Sequence, residues 1–222
     1  MSLPRRAMLA GLLALAGATL ALARGHGHRS SNDQSGNFDY WLMALSWSPS
    51  YCLTHTDDET QCRHRGYGFV LHGLWPQNRK GFGPEHCATI ATPEEATIQH
   101  ALAFMPSRRL IAHEWETHGA CSGLEPAGYF ELADRAFASV KIPVPLTTPR
   151  KPPSMNADDI VRAFATSNPG LGANMLSVVC RDGGTLIEVR VCLNRDTLAP
   201  QACGGRVRNT CRAGALTIPA AR

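Results

Sequence analysis

The stretch Met175-Leu176-Ser177-Val178-Val179-Cys180-Arg181, Asp182-Gly183-Gly184, Thr185-Leu186-Ile187-Glu188-Val189-Arg190-Val191-Cys192-Leu193-Asn194 decides the fold class. Two β-rich runs flank a turn whose Asp and Gly residues accept the positive φ angles that a tight hairpin needs. In the second run Ile187, Val189, Val191 and Leu193 alternate with more polar neighbours, which predicts one buried face. Strands joined this tightly are antiparallel, whereas a βαβ unit needs a long crossover. With helical segments elsewhere in the chain, the expectation is an α+β domain.

Working outward, Phe38–Trp47 is apolar on both alternating faces after Asp39 and predicts a strand buried on both sides, stopped at Ser48-Pro49. Residues 48–68 read as a polar loop. A second strand is expected from Phe69 to about Leu74, ending at Pro76, followed by a long loop over 77–91. Thr92-Pro93-Glu94-Glu95 reads as a capping box with proline at the first helical position, opening a helix that runs to Met105-Pro106. Further helices are expected over Leu110–His118, with Gly119 as the stop, over 127–140 and over Ala157–Thr166. The proline-rich stretch 142–153 reads as a loop within one domain, and the tail to Arg222 as irregular.

Residues 1–23 have a basic start (Arg5, Arg6), an uncharged apolar run and a small-residue end at Ala21-Leu22-Ala23, the pattern of a cleaved export signal rather than a membrane anchor. Residues 24–36 contain no large apolar side chain and read as a flexible leader, leaving 37–222 as the folded domain. Cleavage after Ala23 lowers the formal charge from +4 to +2, so charge alone does not mark a nucleic-acid binder, although a local groove can still be positive. All eight cysteines lie beyond the signal, and no Cys-x-x-Cys pair is present. An even count behind an export signal predicts disulfides in an oxidising compartment, secreted or periplasmic, and disfavours a zinc ribbon. Their pairing is not legible from spacing.

The chemistry is concentrated in two segments: Phe69-Val70-Leu71-His72-Gly73-Leu74-Trp75-Pro76-Gln77 and His113-Glu114-Trp115-Glu116-Thr117-His118-Gly119-Ala120-Cys121. His113 and His118 are five residues apart, about 140° around a regular helix, so they do not form the zinc pair that His113-Glu114 first suggests. Glu114 and His118 are four apart and share a face, where the carboxylate is expected to orient the imidazole and favour its charged form. His72 comes from elsewhere in the chain. Two histidines on opposite sides of a phosphorus can exchange the roles of base and acid, with no metal and no cofactor. His55, His64, His86 and His100 read as packed or surface residues, Trp41, Trp47 and Trp115 as core or cleft wall, and His26 and His28 as parts of a solvated tail.

Both segments resemble the paired active-site segments of the ribonuclease T(2) family, and Phe38 to Tyr51-Cys52 resembles that family's first strand and following loop. The likeness covers most of residues 37–211. It implies a central antiparallel sheet flanked by helices, and cleavage of single-stranded RNA, not DNA, through a 2′,3′-cyclic phosphate. By the same resemblance His118 is the general base, His72 the general acid, His113 a phosphate holder and Glu114 a support for the transition state. Trp75 falls where a base is stacked and Gln77 where a base edge is read, with a core position as the alternative for Trp75. The implied disulfides are Cys52–Cys62, Cys87–Cys121, Cys180–Cys211 and Cys192–Cys203. A monomer is expected, with no membrane partner once the signal is removed. The alternative is a binding or signalling protein on the same scaffold without catalysis, against which the presence of both His72 and His118 counts. One departure stands out: the family usually has lysine where this chain has Thr117, and Lys80, Arg108 and Arg109 are candidate substitutes by position in the chain.

Overall fold

A computed structural model describes residues 35–63, 65–89, 91–147 and 151–220. The expected export signal, and the expected leader up to residue 34, lie outside the described residues, as does His64. Four antiparallel strands, β1 (Tyr40–Trp47), β2 (Phe69–Gln77), β3 (Leu176–Arg181) and β4 (Thr185–Asn194), form one sheet in the order β2-β1-β4-β3. Six helices surround it: α1 (Ser48–Tyr51), α2 (Glu59–Cys62), α3 (Glu95–Ala101), α4 (Arg108–Thr117), α5 (Pro126–Ser139) and α6 (Ala157–Ser167). The architecture is α+β, as the hairpin predicts. Asp182 and Gly183 take positive φ in the β3–β4 turn.

Several boundaries differ from those expected, each for a local reason. The 48–68 loop contains the short helices α1 and α2, the second capped by the Asp58 carboxylate on the amides of Thr60 and Gln61. β2 continues through Pro76 to Gln77, because it is an edge strand and one missing N–H costs no ladder bond there. α3 begins at Glu95 rather than at Pro93, its N-cap Glu94 makes no side-chain cap, and it stops at Ala101. α4 starts earlier, at Arg108, where the Ser107 hydroxyl accepts from the Leu110 amide. It also ends earlier, at Thr117. Gly119 is not a left-handed stop but opens a 3-10 turn, Gly119–Cys121. A side chain there would strike the rings of Trp115 and Tyr129.

The main core lies on one face of the sheet, where Trp41, Met43, Leu45 and Trp47 of β1 meet Phe69, Leu71 and Leu74 of β2 and the apolar sides of α4, α5 and α6. Trp41, Trp47 and Trp115 are all core residues, and each indole N–H donates to a backbone carbonyl, of Arg195, Pro219 and Ala91 respectively. Truncating such a side chain to alanine costs roughly 3–5 kcal/mol. A smaller apolar cluster on the opposite face joins Tyr40, Leu42 and Cys192 to Trp75, Cys203 and Val207. β4 is therefore covered on both sides, not on one as its alternation suggests, and its nominally polar face carries the buried Glu188.

Four disulfides tie the irregular segments to this frame: Cys52–Cys62, Cys87–Cys121, Cys180–Cys211 and Cys192–Cys203. Cys87–Cys121 joins the loop after β2 to the turn after α4, and the His86 amide donates to the Thr117 carbonyl beside it (2.8 Å). Closing a loop of this length restricts the unfolded chain by on the order of 3–4 kcal/mol. The last two residues of the expected leader are also attached, Ser35 to the Ala120 carbonyl and Gly36 to that of Cys121.

α4 approaches β2 at Gly73. A Cβ built there would lie 2.0 Å from Glu114 Oε2 and 2.4 Å from Trp75 Nε1. Gly73→Ala is therefore expected to push the helix or the indole aside and to destabilise the fold by roughly 1–3 kcal/mol, the usual cost of overpacking. A urea denaturation midpoint equal to that of the parent protein would contradict this close approach.

Candidate active site

Leu71 and Leu74 are three residues apart on β2, yet both are fully buried in the main core. A regular strand would send them to opposite faces. The pairing resolves the conflict: Ala44 faces Gly73 and Leu45 faces Leu71, so His72 is the extra residue of a β-bulge. The bulge lets both leucines enter the core while His72 joins Gly73 and Trp75 on the second face. That face also carries Ser46 from β1 and Glu188 and Arg190 from β4, which are cross-strand partners of Ser46 and Ala44.

Around His72 the contacts are polar on both sides. Its Nδ1 lies 2.9 Å from Glu188 Oε1, and its Nε2 lies 3.4 Å from Glu114 Oε1, a charge contact rather than a hydrogen bond. The Trp75 indole N–H donates to Glu114 Oε2 at 2.7 Å. The Trp75 ring lies beside both imidazoles, its centroid 5.2 Å from that of His72 and 5.0 Å from that of His118. Arg190 sets its guanidinium 5.2 Å from the same ring and donates from Nε to Glu188 Oε2 at 2.5 Å. His72, Glu114, His118 and Trp75 thus converge.

Two expectations about α4 need correction. His118 is the C-cap of α4: its N–H still donates to the Glu114 carbonyl at 3.0 Å, but its φ of −122° and ψ of −46° leave the helix there. The Glu114 side chain turns to Trp75 and His72 instead of orienting His118. Nor is His118 held in its charged form. Burial, followed by the nearby imidazoles of His72, His113 and His86, lowers its pKa to about 3. Its Nδ1 is buried with no hydrogen-bond partner.

His72 is shifted the opposite way. Burial alone would lower its pKa, but the hydrogen bond to Glu188 and the charges of Glu114 and Glu188 outweigh this and raise it above 6.5. Glu114, 1% exposed, is pushed up to about 7, mainly by burial. Burial acts upward on Glu188 too, yet His72 and Arg190 together hold it below the ordinary carboxylate range. The surroundings therefore favour the neutral form of one imidazole and the charged form of the other, both beside one indole.

His113 is exposed, 3.4 Å from the hydroxyl of the buried Thr117, at the outer side of this group. Gln77 lies two residues beyond Trp75 on the strand, its amide close under Gly83. The candidate substitutes do not fill the place of the lysine. Arg108 is paired with Glu95 on the surface, and Lys80 and Arg109 are exposed. Arg190, far from His118 in the chain and on a different strand, is the cation drawn up to the site's indole, and it is paired with Glu188. At the outer rim Phe82 is 75% exposed, with the guanidinium of Arg206 3.8 Å from its ring centroid. Neither Glu188 nor Arg190 belongs to a local motif, and only the tertiary fold brings them to the site. Among the described residues no group of three or more His, Cys, Asp or Glu side chains is placed to ligate a metal.

Comparison with known proteins identifies the family and the fold. A ribonuclease of Aeromonas hydrophila is 48% identical over 100 residues, covering 45% of this chain and 45% of that protein. Ribonuclease DdI of Dictyostelium discoideum is 26% identical over 191 residues, covering 78% of this chain and 81% of that protein. The chain spans less than half the length of the first relatives it matches. In fold it is similar to the RNase-related protein from Calystegia sepium (TM-score 0.67, 22% identity, covering 83% of this chain and 98% of that one). Its fold is likewise similar to that of ribonuclease MC1 from bitter gourd seeds (TM-score 0.63, 22% identity, covering 81% and 100%). The family model described as Ribonuclease T2 family matches residues 38–203, which include both histidine segments and the β3–β4 hairpin, and the chain belongs to that family.

Proposed function

We propose that the protein is an exported, metal-independent endoribonuclease that cleaves single-stranded RNA and acts as a monomer. The observation that carries this reading is the convergence of His72 and His118 beside Trp75 and Glu114, in surroundings that favour the neutral form of His118 and the charged form of His72. A neutral imidazole is ready to accept a proton and a charged one to give it, which is what a displacement at phosphorus asks of two partners.

His118 takes the proton of the RNA 2′-hydroxyl, and the freed oxygen attacks the adjacent phosphorus. The bond to the 5′-oxygen breaks as His72 gives that oxygen the proton on Nε2. The products are a 2′,3′-cyclic phosphate and a 5′-hydroxyl. In the slower second step the roles reverse: His72 accepts a proton from water, His118 returns its own to the 2′-oxygen, and a 3′-phosphate remains. Glu114, with one oxygen on the Trp75 N–H and the other free of hydrogen bonds, supports the pentacoordinate phosphorus. Its raised pKa lets it approach a phosphate oxygen partly protonated, without full repulsion. His113 holds the phosphate from the outer side. Trp75 and Gln77 receive the base, and the exposed Phe82 extends that surface. Four disulfides support folding in an oxidising compartment, and no helix among the described residues is long and apolar enough to cross a membrane.

His72→Ala and His118→Ala should each lower turnover on single-stranded RNA by roughly a hundredfold or more, the scale of a lost acid or base, with thermal unfolding little changed. Matched DNA, which lacks the 2′-hydroxyl, should not be cut by the parent protein. A variant near parental activity, or DNA cut at a similar rate, would refute the assignment.

The pH dependence follows from the shifts. His118 must be neutral, and its lowered pKa keeps it so down to about pH 3; His72 must be charged, and its raised pKa keeps it so beyond 6.5. The profile of kcat/KM is therefore expected to be broad, with an acid limb near pH 3 and an alkaline limb above 6.5. An acid limb near pH 6.5 would show that His118 is not held neutral.

A further inference from the structure

Glu188 belongs to neither histidine segment, yet its carboxylate is 5% exposed and shared between two partners. One oxygen accepts from His72 Nδ1 at 2.9 Å and lies 3.4 Å from the Ser46 hydroxyl; the other accepts from Arg190 Nε at 2.5 Å. We propose that Glu188 is a positioning residue for His72, and that Arg190 sets the strength of its grip. This deepens the reading above and rests on His72 being the acid.

The geometry gives the reason. A general acid must present a particular nitrogen to the leaving oxygen, and an imidazole on a bulge can rotate about two side-chain bonds. A fixed acceptor on Nδ1 removes that freedom and leaves the Nε2 proton facing the reaction, as an outer partner orients a catalytic histidine elsewhere. Glu188 is suited to this because β4 is a central strand, paired on both sides, so its backbone cannot shift without breaking two ladders. Buried between His72 and Arg190, the carboxylate has a cation on each side and remains charged.

The charges that face His72 come from β4 and α4, while β1 contributes the uncharged Ser46. Glu188 and Arg190 come from β4, Glu114 comes from α4, and His118 lies beside Trp75 in the turn after α4, with His113 and His86 near it. Of these, the two carboxylates favour a charged His72 and Arg190 opposes it. The two members of the β4 pair thus act on His72 with opposite sign, which a merely structural role would not produce.

The test is to follow the ring signals of His72 by NMR across a pH titration in the parent protein, Glu188→Gln and Arg190→Gln, alongside kcat and KM on a short single-stranded RNA. Glu188→Gln should lower the His72 pKa by about one unit or more, the scale for losing a neighbouring opposite charge. Its alkaline kcat limb should move to lower pH by the same amount. Turnover at pH 7 should fall tenfold or more and recover in part at pH 5, with KM little altered. Arg190→Gln should move the His72 pKa and the alkaline limb upward. Should Glu188→Gln fail to fold, Arg190→Gln alone still decides through its upward shift. An unchanged His72 pKa in either folded variant, or a loss of turnover equal at pH 5 and pH 7, overturns the proposal. If the parent protein does not cleave RNA, the functional reading fails while the titration still reports whether Glu188 holds His72.

Discussion

The pairing of the half-buried His72 with two buried carboxylates is the interaction on which the rest of the site depends. Transferring a cation out of water is costly unless counter-charges and hydrogen bonds replace the lost hydration. His72 meets that requirement from two directions, with Glu188 on Nδ1 and Glu114 near Nε2. Those carboxylates come from β4 and α4, so the strand order, the register of β1 with β4 and the seating of α4 on β2 must all be correct for the ring to be charged. The same neighbourhood suppresses protonation of His118, which adds its own burial to the repulsion of nearby imidazoles. Two chemically identical side chains thereby acquire opposite tasks.

The fold supplies the needed alignment with ordinary means. The bulge at His72 allows Leu71 and Leu74 to anchor β2 in the core while the histidine faces the other way. Gly73 admits the Glu114 carboxylate and the Trp75 indole to one small space. At the far end of α4, the Cys87–Cys121 bridge and the bond from the His86 amide to the Thr117 carbonyl fix the point at which the helix stops. That stop aims His118 at Trp75.

The β3–β4 hairpin was legible in the sequence because Asp182-Gly183 states its turn chemistry locally, and the stripe of 127–140 because helical period and burial agree there. The pairing of the two histidine segments was legible as a resemblance, on residues that stand together in the chain. The capping box at Thr92 misled because its residues are suited to a helix start without being placed at one; the chain turns two residues later. His118 was misread for a related reason. Spacing arguments assume a helix that continues, and whether it continues past Thr117 is decided by the disulfide and by the packing of Gly119 on Trp115 and Tyr129. Glu188 and Arg190 were hidden by their own periodicity, since alternation on β4 labels them the solvent face. A smaller apolar cluster and the site itself cover that face, which no pattern local to β4 records.

The central claim is that the attacking group is the substrate's own 2′-hydroxyl, activated by His118 and answered by His72. An oligodeoxynucleotide containing a single ribonucleotide, incubated with the protein in excess chelator and analysed by mass spectrometry, tests it most directly. The account predicts one cut, on the 3′ side of the ribose, with a 2′,3′-cyclic phosphate on one fragment and a 5′-hydroxyl on the other. Cuts at deoxynucleotide positions, or fragments ending in a 5′-phosphate, would contradict it.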